Sequence, residues 1–262
     1  MSSITARQLG KSYGRGSGTV HALSNVNFTI NSGEFVGIMG ESGAGKSTLL
    51  SILGAMNTPT TGALTVDDID VYGLKSEQRA DFRREFLGFV FQSFHLIPYL
   101  TLMENVMLPL AAIRMAKTEK RRNALAALQR VGLEGKGARL PGEASGGEKE
   151  RCAIARAIVN APPVLLADEP TGNLDTRTTD GVMDLFTDLN GEGMTIVMVT
   201  HSPRCAAHVH RILSVADGRM LAEMPHAPNA EIALQRLSKS ERWPLTSGRV
   251  FTADHGKLPG GG

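Results

Sequence analysis

The octapeptide Gly40–Ser47, "GESGAGKS", constrains the fold of this 262-residue chain more than any other stretch. It fits the pattern G-x-x-x-x-G-K-[ST], a loop whose backbone N–H groups wrap a phosphate. Such a loop belongs between the end of a buried strand and the first turn of a helix. Glycines let successive N–H groups converge on an anion, and the helix N-terminus adds unpaired donors and a positive dipole end. Both flanks comply: Glu34–Met39, "EFVGIM", predicts a short buried strand, and residues 46–54 predict a helix. Gly40, Glu41, Ser42, Gly43, Ala44, Gly45, Lys46, Ser47 and Thr48 are therefore the candidate nucleotide-binding residues. Lys46 would reach the β- and γ-phosphates, and Ser47 would offer its hydroxyl to Mg²⁺.

The rest of the chain supplies a setting for that loop. Ser24–Ile30, "SNVNFTI", alternates in the manner of a strand, and Gly14–Gly18, "GRGSG", reads as a hairpin tip. Gly62–Val66 and Leu87–Phe91 predict two more strands, the second ending at Gln92. Residues 94–160 change character. Within them Thr118–Val131 places Leu125, Leu128 and Val131 on a helical stripe, although Thr118 with Arg121 lacks the Glu of a capping box. Strands return at Val164–Ala167 and Thr195–Val199, with a helix over about 178–190 between them. Apolar strands alternating with helices predict an α/β fold whose mainly parallel sheet is covered on both faces and carries a helical insert. Residues 225–262, with Pro225, Pro228, Pro244, Pro259 and a terminal Gly-Gly-Gly, predict a loosely ordered tail with room for a short helix at 229–240.

In an open α/β sheet, ligands collect at the carboxyl ends of the strands. "VLLADEPTGNLD" puts Asp168 and Glu169 just past a strand. Asp168 is the candidate to hold Mg²⁺ through water, and Glu169 the candidate to polarise an attacking water. His201 and Gln92 follow other strands; each is a weak signal alone and gains weight only along the same sheet edge.

A second glycine-rich helix start lies at Ala144–Glu148, "ASGGE". Ser145 and Glu148 have capping-box spacing. Gly146 and Gly147 are not needed for a capping box and cost about 0.5–1 kcal/mol each against alanine in a helix interior. They leave a helix N-terminus bare for an anion. Residue chemistry alone leaves open whether that anion belongs to a second ligand or to a nucleotide held by another copy.

Composition narrows the partners. Residues 225–262 hold five Lys/Arg and three Asp/Glu, and the remainder holds 23 of each sign, so no basic excess calls for nucleic acid. The N-terminus lacks an apolar h-region, and runs such as Leu108–Ile113 fall far short of the roughly 20 residues a membrane span needs. Cys152 and Cys205 have no metal-ligand spacing and read as reduced thiols of a cytosolic protein.

The ordered set "GESGAGKS", Gln92, "ASGGE", "LLADEP", "GNLD" and His201 resembles the nucleotide-binding subunit of an ABC transporter over about residues 3–224. "FVFQSFHLIPYLTLMENVMLPL" and "ADEPTGNLD" look most like the lipoprotein-releasing and macrolide-export group. The resemblance implies a RecA-like P-loop core, an N-terminal antiparallel β subdomain and a helical subdomain at about 94–160. It implies an ATPase of two head-to-tail copies, each ATP lying between the P-loop of one and Ser145–Gly147 of the other. Tyr13 would stack on adenine, Gln92 would contact Mg²⁺ and water, Asp175 would cross the dimer, and His201 would touch the γ-phosphate. Residues near 93–107 would receive a transmembrane permease. The chain would then sit on the cytoplasmic side of the inner membrane, driving export or extraction of a lipoprotein, lipid or drug-like substrate. The alternative is a regulatory or mechanical ABC ATPase on a membrane partner. Ala144 stands where the family usually has leucine, which weakens an apolar anchor. Glu148 stands where it usually has glutamine, and the acid repels phosphate unless it turns back as the capping partner. Ala44 replaces a common serine.

Overall fold

The computed structural model describes residues 2–225, so the expectation of a loose tail falls, Pro225 apart, outside the described residues. The chain begins with an antiparallel pair, β1 (Ile4–Tyr13) and β2 (Val20–Ile30), in the register Ile4↔Ile30 to Tyr13↔Val20. A 3₁₀ turn at Gly16–Gly18 closes the hairpin where the glycine-rich tip was expected. β3 (Phe35–Met39) leads through the glycine-rich loop into α1 (Lys46–Leu53). β4 (Thr61–Val66) then pairs with the free side of β1, and β5 (Ile69–Asp70) pairs with β4, giving a four-stranded sheet β2-β1-β4-β5.

α2 (Ser76–Phe86) precedes β6 (Leu87–Val90), and α3 (Leu102–Met107), α4 (Lys117–Arg130) and α5 (Gly146–Ile158) follow before β7 (Val164–Asp168). The chain continues with α6 (Thr176–Gly191), β8 (Thr195–Val199), α7 (Pro203–Ala206), β9 (Arg211–Ala216) and β10 (Arg219–Pro225). The second sheet has the order β10-β9-β3-β8-β7-β6, and every pairing in it is parallel except β9 with β10. The carboxyl ends of β3, β6, β7 and β8 therefore open on one edge.

Strand alternation sorts the core into two layers. Phe35, Leu165, Ala167, Ile196 and Met198 join the cluster under α3–α6, while Val36, Ile38, Leu166, Val197 and Val199 join α1 and the antiparallel strands. Each such side chain is essentially fully buried, and all but Ala167 are worth about 1.5–3 kcal/mol apiece against exposure. Both faces are covered as expected, but one cover is largely a second sheet.

Three details differ from expectation. Leu125, on the expected helical stripe, is 47% exposed while Leu128 and Val131 are buried, so the apolar face of α4 is narrower than its spacing implied. That helix starts at Lys117 after Ala116, which gives no side-chain cap, and Thr118 lies inside the first turn. β6 ends at Val90, and Phe91 instead stacks on Phe89, ring centroids 4.3 Å apart. No helix of the described residues is long and apolar enough to cross a membrane.

Candidate functional site

The first cradle is the turn from β3 into α1. Gly45 is the helix N-cap at φ +99°, and a Cβ there would lie 2.4 Å from the Ala22 carbonyl oxygen. At Gly40 a Cβ would meet the Val215 carbonyl oxygen at 2.0 Å. Both glycines are thus demanded by the chain's own packing as well as by any ligand. Lys46 is buried, its Nζ donating to the carbonyls of Gly40 at 2.8 Å and Glu41 at 2.7 Å. The cation braces the loop across its mouth. Glu41, Ser42 and Gly43 are exposed, Ala44 is buried, and Thr48 is half-buried in α1.

Across the sheet edge, the Ser47 hydroxyl donates to Asp168 Oδ1 at 3.4 Å. Asp168 ends β7, and burial first, then the neighbouring Glu169, push its carboxyl above the usual range against the pull of Ser47 and Lys46. Two oxygen donors facing a phosphate loop suit Mg²⁺, which takes one or two protein ligands and completes its shell with water and substrate phosphates. Among the described residues there is no cluster of three or more His, Cys, Asp or Glu fit to hold a metal by itself.

Glu169 adopts φ +46°, unusual for a side-chain-bearing residue. Its N–H donates to the Val199 carbonyl at 3.0 Å, tying the turn after β7 to β8. Its Oε2 lies 3.2 Å from His201 Nδ1, and His201 is otherwise largely exposed. The Gln92 carbonyl accepts from Asn173 Nδ2 at 3.0 Å, and its side chain borders Gly172. Glu169, Gly172 and His201 share a cleft of about 210 Å³. A carboxylate held this way can accept a proton from a water in contact with it. Tyr13, at the end of β1, is 43% exposed; its hydroxyl accepts from Asn57 Nδ2 at 2.6 Å, and Lys11 Nζ stands 5.0 Å from its ring centroid.

The second cradle opens α5. Ser145 is the N-cap: its Oγ accepts from the Glu148 N–H at 3.3 Å, and Glu148 Oε2 accepts from the Ser145 N–H at 2.8 Å. The expected capping box forms, and the acid turns back. Its other oxygen accepts from Lys136 Nζ at 2.8 Å and the Arg139 guanidinium at 3.1 Å. The Lys136 bond, then the Ser145 N–H, hold its carboxyl down at about 2.

The two glycines differ. A Cβ at Gly147 would stand 2.4 Å from Thr178 Cγ2. Thr178 cannot easily yield, because its hydroxyl donates to Asp175 Oδ2 at 2.6 Å and its N–H to Oδ1 at 3.0 Å. Gly147 thus has a reason within the chain that its place in an anion cradle did not reveal. A Cβ at Gly146 would make only an ordinary contact, 3.7 Å from Leu174 Cδ2. Asp175 is the N-cap of α6, and Thr178 holds its carboxyl below the usual range. Ala144 is buried in the helical core.

Ser145, Gly147, Glu148, Lys136, Asp175 and Arg177 line a cleft of about 500 Å³ that includes none of residues 40–48, Asp168, Glu169 or His201. The segment 174–179 runs between the clefts: Asp175, Arg177 and Thr178 line this one, and Leu174, Thr176 and Thr179 line the other. Sequence reasoning missed Thr178, whose signal was an Asp three residues before it at a helix start. It also missed Lys136 and Arg139, which had no signal, because a loop fold brings them to Glu148.

The family model described as ABC transporter matches residues 23–172. An ABC transporter ATP-binding protein of Bacillus subtilis, YvrO, is 44% identical over 220 residues, 84% of this chain and 96% of its own length. The macrolide export ATP-binding/permease protein MacB of Mannheimia succiniciproducens is 40% identical over 97% of this chain, which spans only 39% of that relative. The dimeric ATP-binding cassette MJ0796, solved in a post-hydrolysis state with ADP and Pi, is 42% identical with a TM-score of 0.78, covering 85% of this chain and 98% of that one. With the glycine-rich loop, the acidic strand end and the second helix start in these positions, the chain belongs to the ABC transporter family, among its ATP-binding proteins.

Proposed function

We propose that this chain is the ATP-binding and hydrolysing subunit that drives a separate transmembrane permease, two copies closing head to tail around ATP. The observation that carries this reading is the separation of the two cradles: the cleft lined by Ser145 and Gly147 includes none of residues 40–48, Asp168, Glu169 or His201 of the same chain. A copy alone thus has half of each site, and the relative solved as a dimer with ADP and Pi supports a second copy as the complement.

In this reading the triphosphate rests on the backbone of Gly40, Glu41, Ser42, Gly43, Ala44 and Gly45, continuing to Thr48, and Tyr13 packs on adenine. Lys46 exchanges its carbonyl partners for the β- and γ-phosphates. Ser47, Asp168 and Gln92 would hold Mg²⁺, which when bound offsets the negative charge shared by the β- and γ-phosphate oxygens. Glu169 takes the proton of the attacking water, and His201, against its carboxylate, keeps it aimed and reaches the γ-phosphate. Ser145, Gly146 and Gly147 of the other copy cap that phosphate, with Glu148 held aside and Asp175 at the seam. Once the γ-phosphate is gone, the contacts joining the copies weaken and they part, the logic of a nucleotide switch. Residues 93–107, next to Gln92, pass the motion to the permease. The working place is the cytoplasmic side of the inner membrane. The macrolide-export relatives, named as ATP-binding and permease parts in one chain, support export or extraction of a drug-like, lipid or lipoprotein substrate.

Gly146→Ala tests this cleanly, because the methyl fits within its own chain. Stability should hold or rise by up to about 0.5–1 kcal/mol, as for Gly→Ala in a helix. Nucleotide binding to the monomer should persist, and turnover should fall roughly 10²-fold, the cost of a small misplacement at a reacting centre. Denaturation, nucleotide titration and phosphate release measure the three. Unchanged turnover would contradict the reading.

A further inference from the structure

An acid in the first turn of α5 is well placed for its own helix, since a carboxylate there meets the positive dipole end. It is badly placed for an anion at the same terminus, because like charges a few ångströms apart repel. The loop between α4 and the Pro141–Glu143 3₁₀ turn counters that conflict. Its backbone is closed by Lys136 N–H to the Leu133 carbonyl and Arg139 N–H to the Lys136 carbonyl, both 3.1 Å. It is pinned to α3 by bonds from the N–H groups of Leu102 and Met103 to the carbonyls of Arg139 and Gly137. At Gly137 a Cβ would press on Leu128 and Met103 at 3.2 Å, so the loop lies close against the helices. This fixed path aims Lys136 and Arg139 at the same oxygen, Glu148 Oε1, while Ser145 N–H holds Oε2. Both carboxylate oxygens are occupied, and the group of three carries one net positive charge instead of a bare negative one.

We infer that Lys136 and Arg139 are positioning residues of the second cradle: they clamp Glu148 in its capping position and offset its charge, so that the cradle accepts the terminal phosphate of a nucleotide held by another copy. This rests on the reading of Ser145–Gly147 as a cradle completed in trans. Glutamine at 148 would need no clamp; glutamate does, and the two cations are part of the motif in this chain although they lie outside it in sequence.

The test is ATP-dependent dimerisation of the full chain in a Glu169→Gln background, followed by sedimentation with ATP and Mg²⁺. Lys136→Gln with Arg139→Gln should weaken the dimer roughly fivefold, the scale of one charge pair about 4 Å apart in bulk water. Adding Glu148→Gln should restore it, which no loss of packing at 136 and 139 would allow. Lys136→Arg, keeping the charge, should dimerise as the parent does. Independently, the Glu148 carboxyl should titrate near 2 in the parent and move up in Lys136→Gln, read from its side-chain carbon resonance. A parent that dimerises but is indifferent to the clamp, or a clamp defect that Glu148→Gln fails to rescue, overturns the inference alone. A parent that stays monomeric with ATP overturns the reading beneath it and the inference with it.

Discussion

Glu169→Gln should slow ATP turnover by roughly 10²–10⁴-fold, the range for loss of a general base, while leaving ATP affinity nearly unchanged. The amide keeps the size and shape of the acid. The turn that aims it is held by backbone, from Glu169 N–H to Val199 and from Gly172 N–H to the Glu169 carbonyl, both 3.0 Å, so the substitution need not disturb it. What disappears is the only carboxylate in contact with His201 at 3.2 Å among the described residues. With binding intact and the chemical step blocked, ATP should hold two copies together, and a stable dimer should appear that ADP does not support. Single-turnover phosphate release and sedimentation check both halves. Normal hydrolysis would remove Glu169 from the mechanism.

Lys46→Ala should cost nucleotide affinity by roughly 10–100-fold, because a hydrogen bond to a charged group is worth about 1.5–3 kcal/mol. Two losses combine. The triphosphate loses a cation that can follow its charge, and the loop loses its brace, since the Gly40 and Glu41 carbonyls no longer share a donor. Calorimetric titration with ATP and Mg²⁺ measures the sum, and unchanged affinity would count against Gly40–Ser47 as the triphosphate site. The defect should be in binding, whereas that of Glu169→Gln is in the chemical step.

The parts of the fold legible in the sequence were those written in short-range pattern. β3, β7 and β8 are uninterrupted apolar runs, and the glycine-rich loop names its own place between strand and helix. α2 was not legible, because only Phe82 of its eleven residues is buried and no apolar stripe exists to read. β9 and β10 carried a local signal that went unread: Asp217-Gly218, both at positive φ, is the two-residue turn that joins them; only their place at the edge of a sheet whose other members lie far off in sequence had no local mark. The site divides in the same way. Lys46, Asp168 and Ser145 announce themselves by spacing, whereas the clamp on Glu148 and the wedge of Thr178 against Gly147 depend on loops brought together only by tertiary packing.

The most direct measurement mixes two chains, each disabled in a different half of the site: Lys46→Ala, which spoils the phosphate loop, and Gly146→Ala, which spoils the second cradle. At an ATP concentration that fills the parent site but not the weakened Lys46→Ala site, each alone should be nearly inactive. Because a two-fold arrangement pairs the loop of one copy with the cradle of the other, a mixed dimer regains one site with both halves intact, and ATP hydrolysis should reappear on mixing. A mixture no more active than its components, or a Gly146→Ala chain that hydrolyses ATP at the full rate as a monomer, would contradict the account.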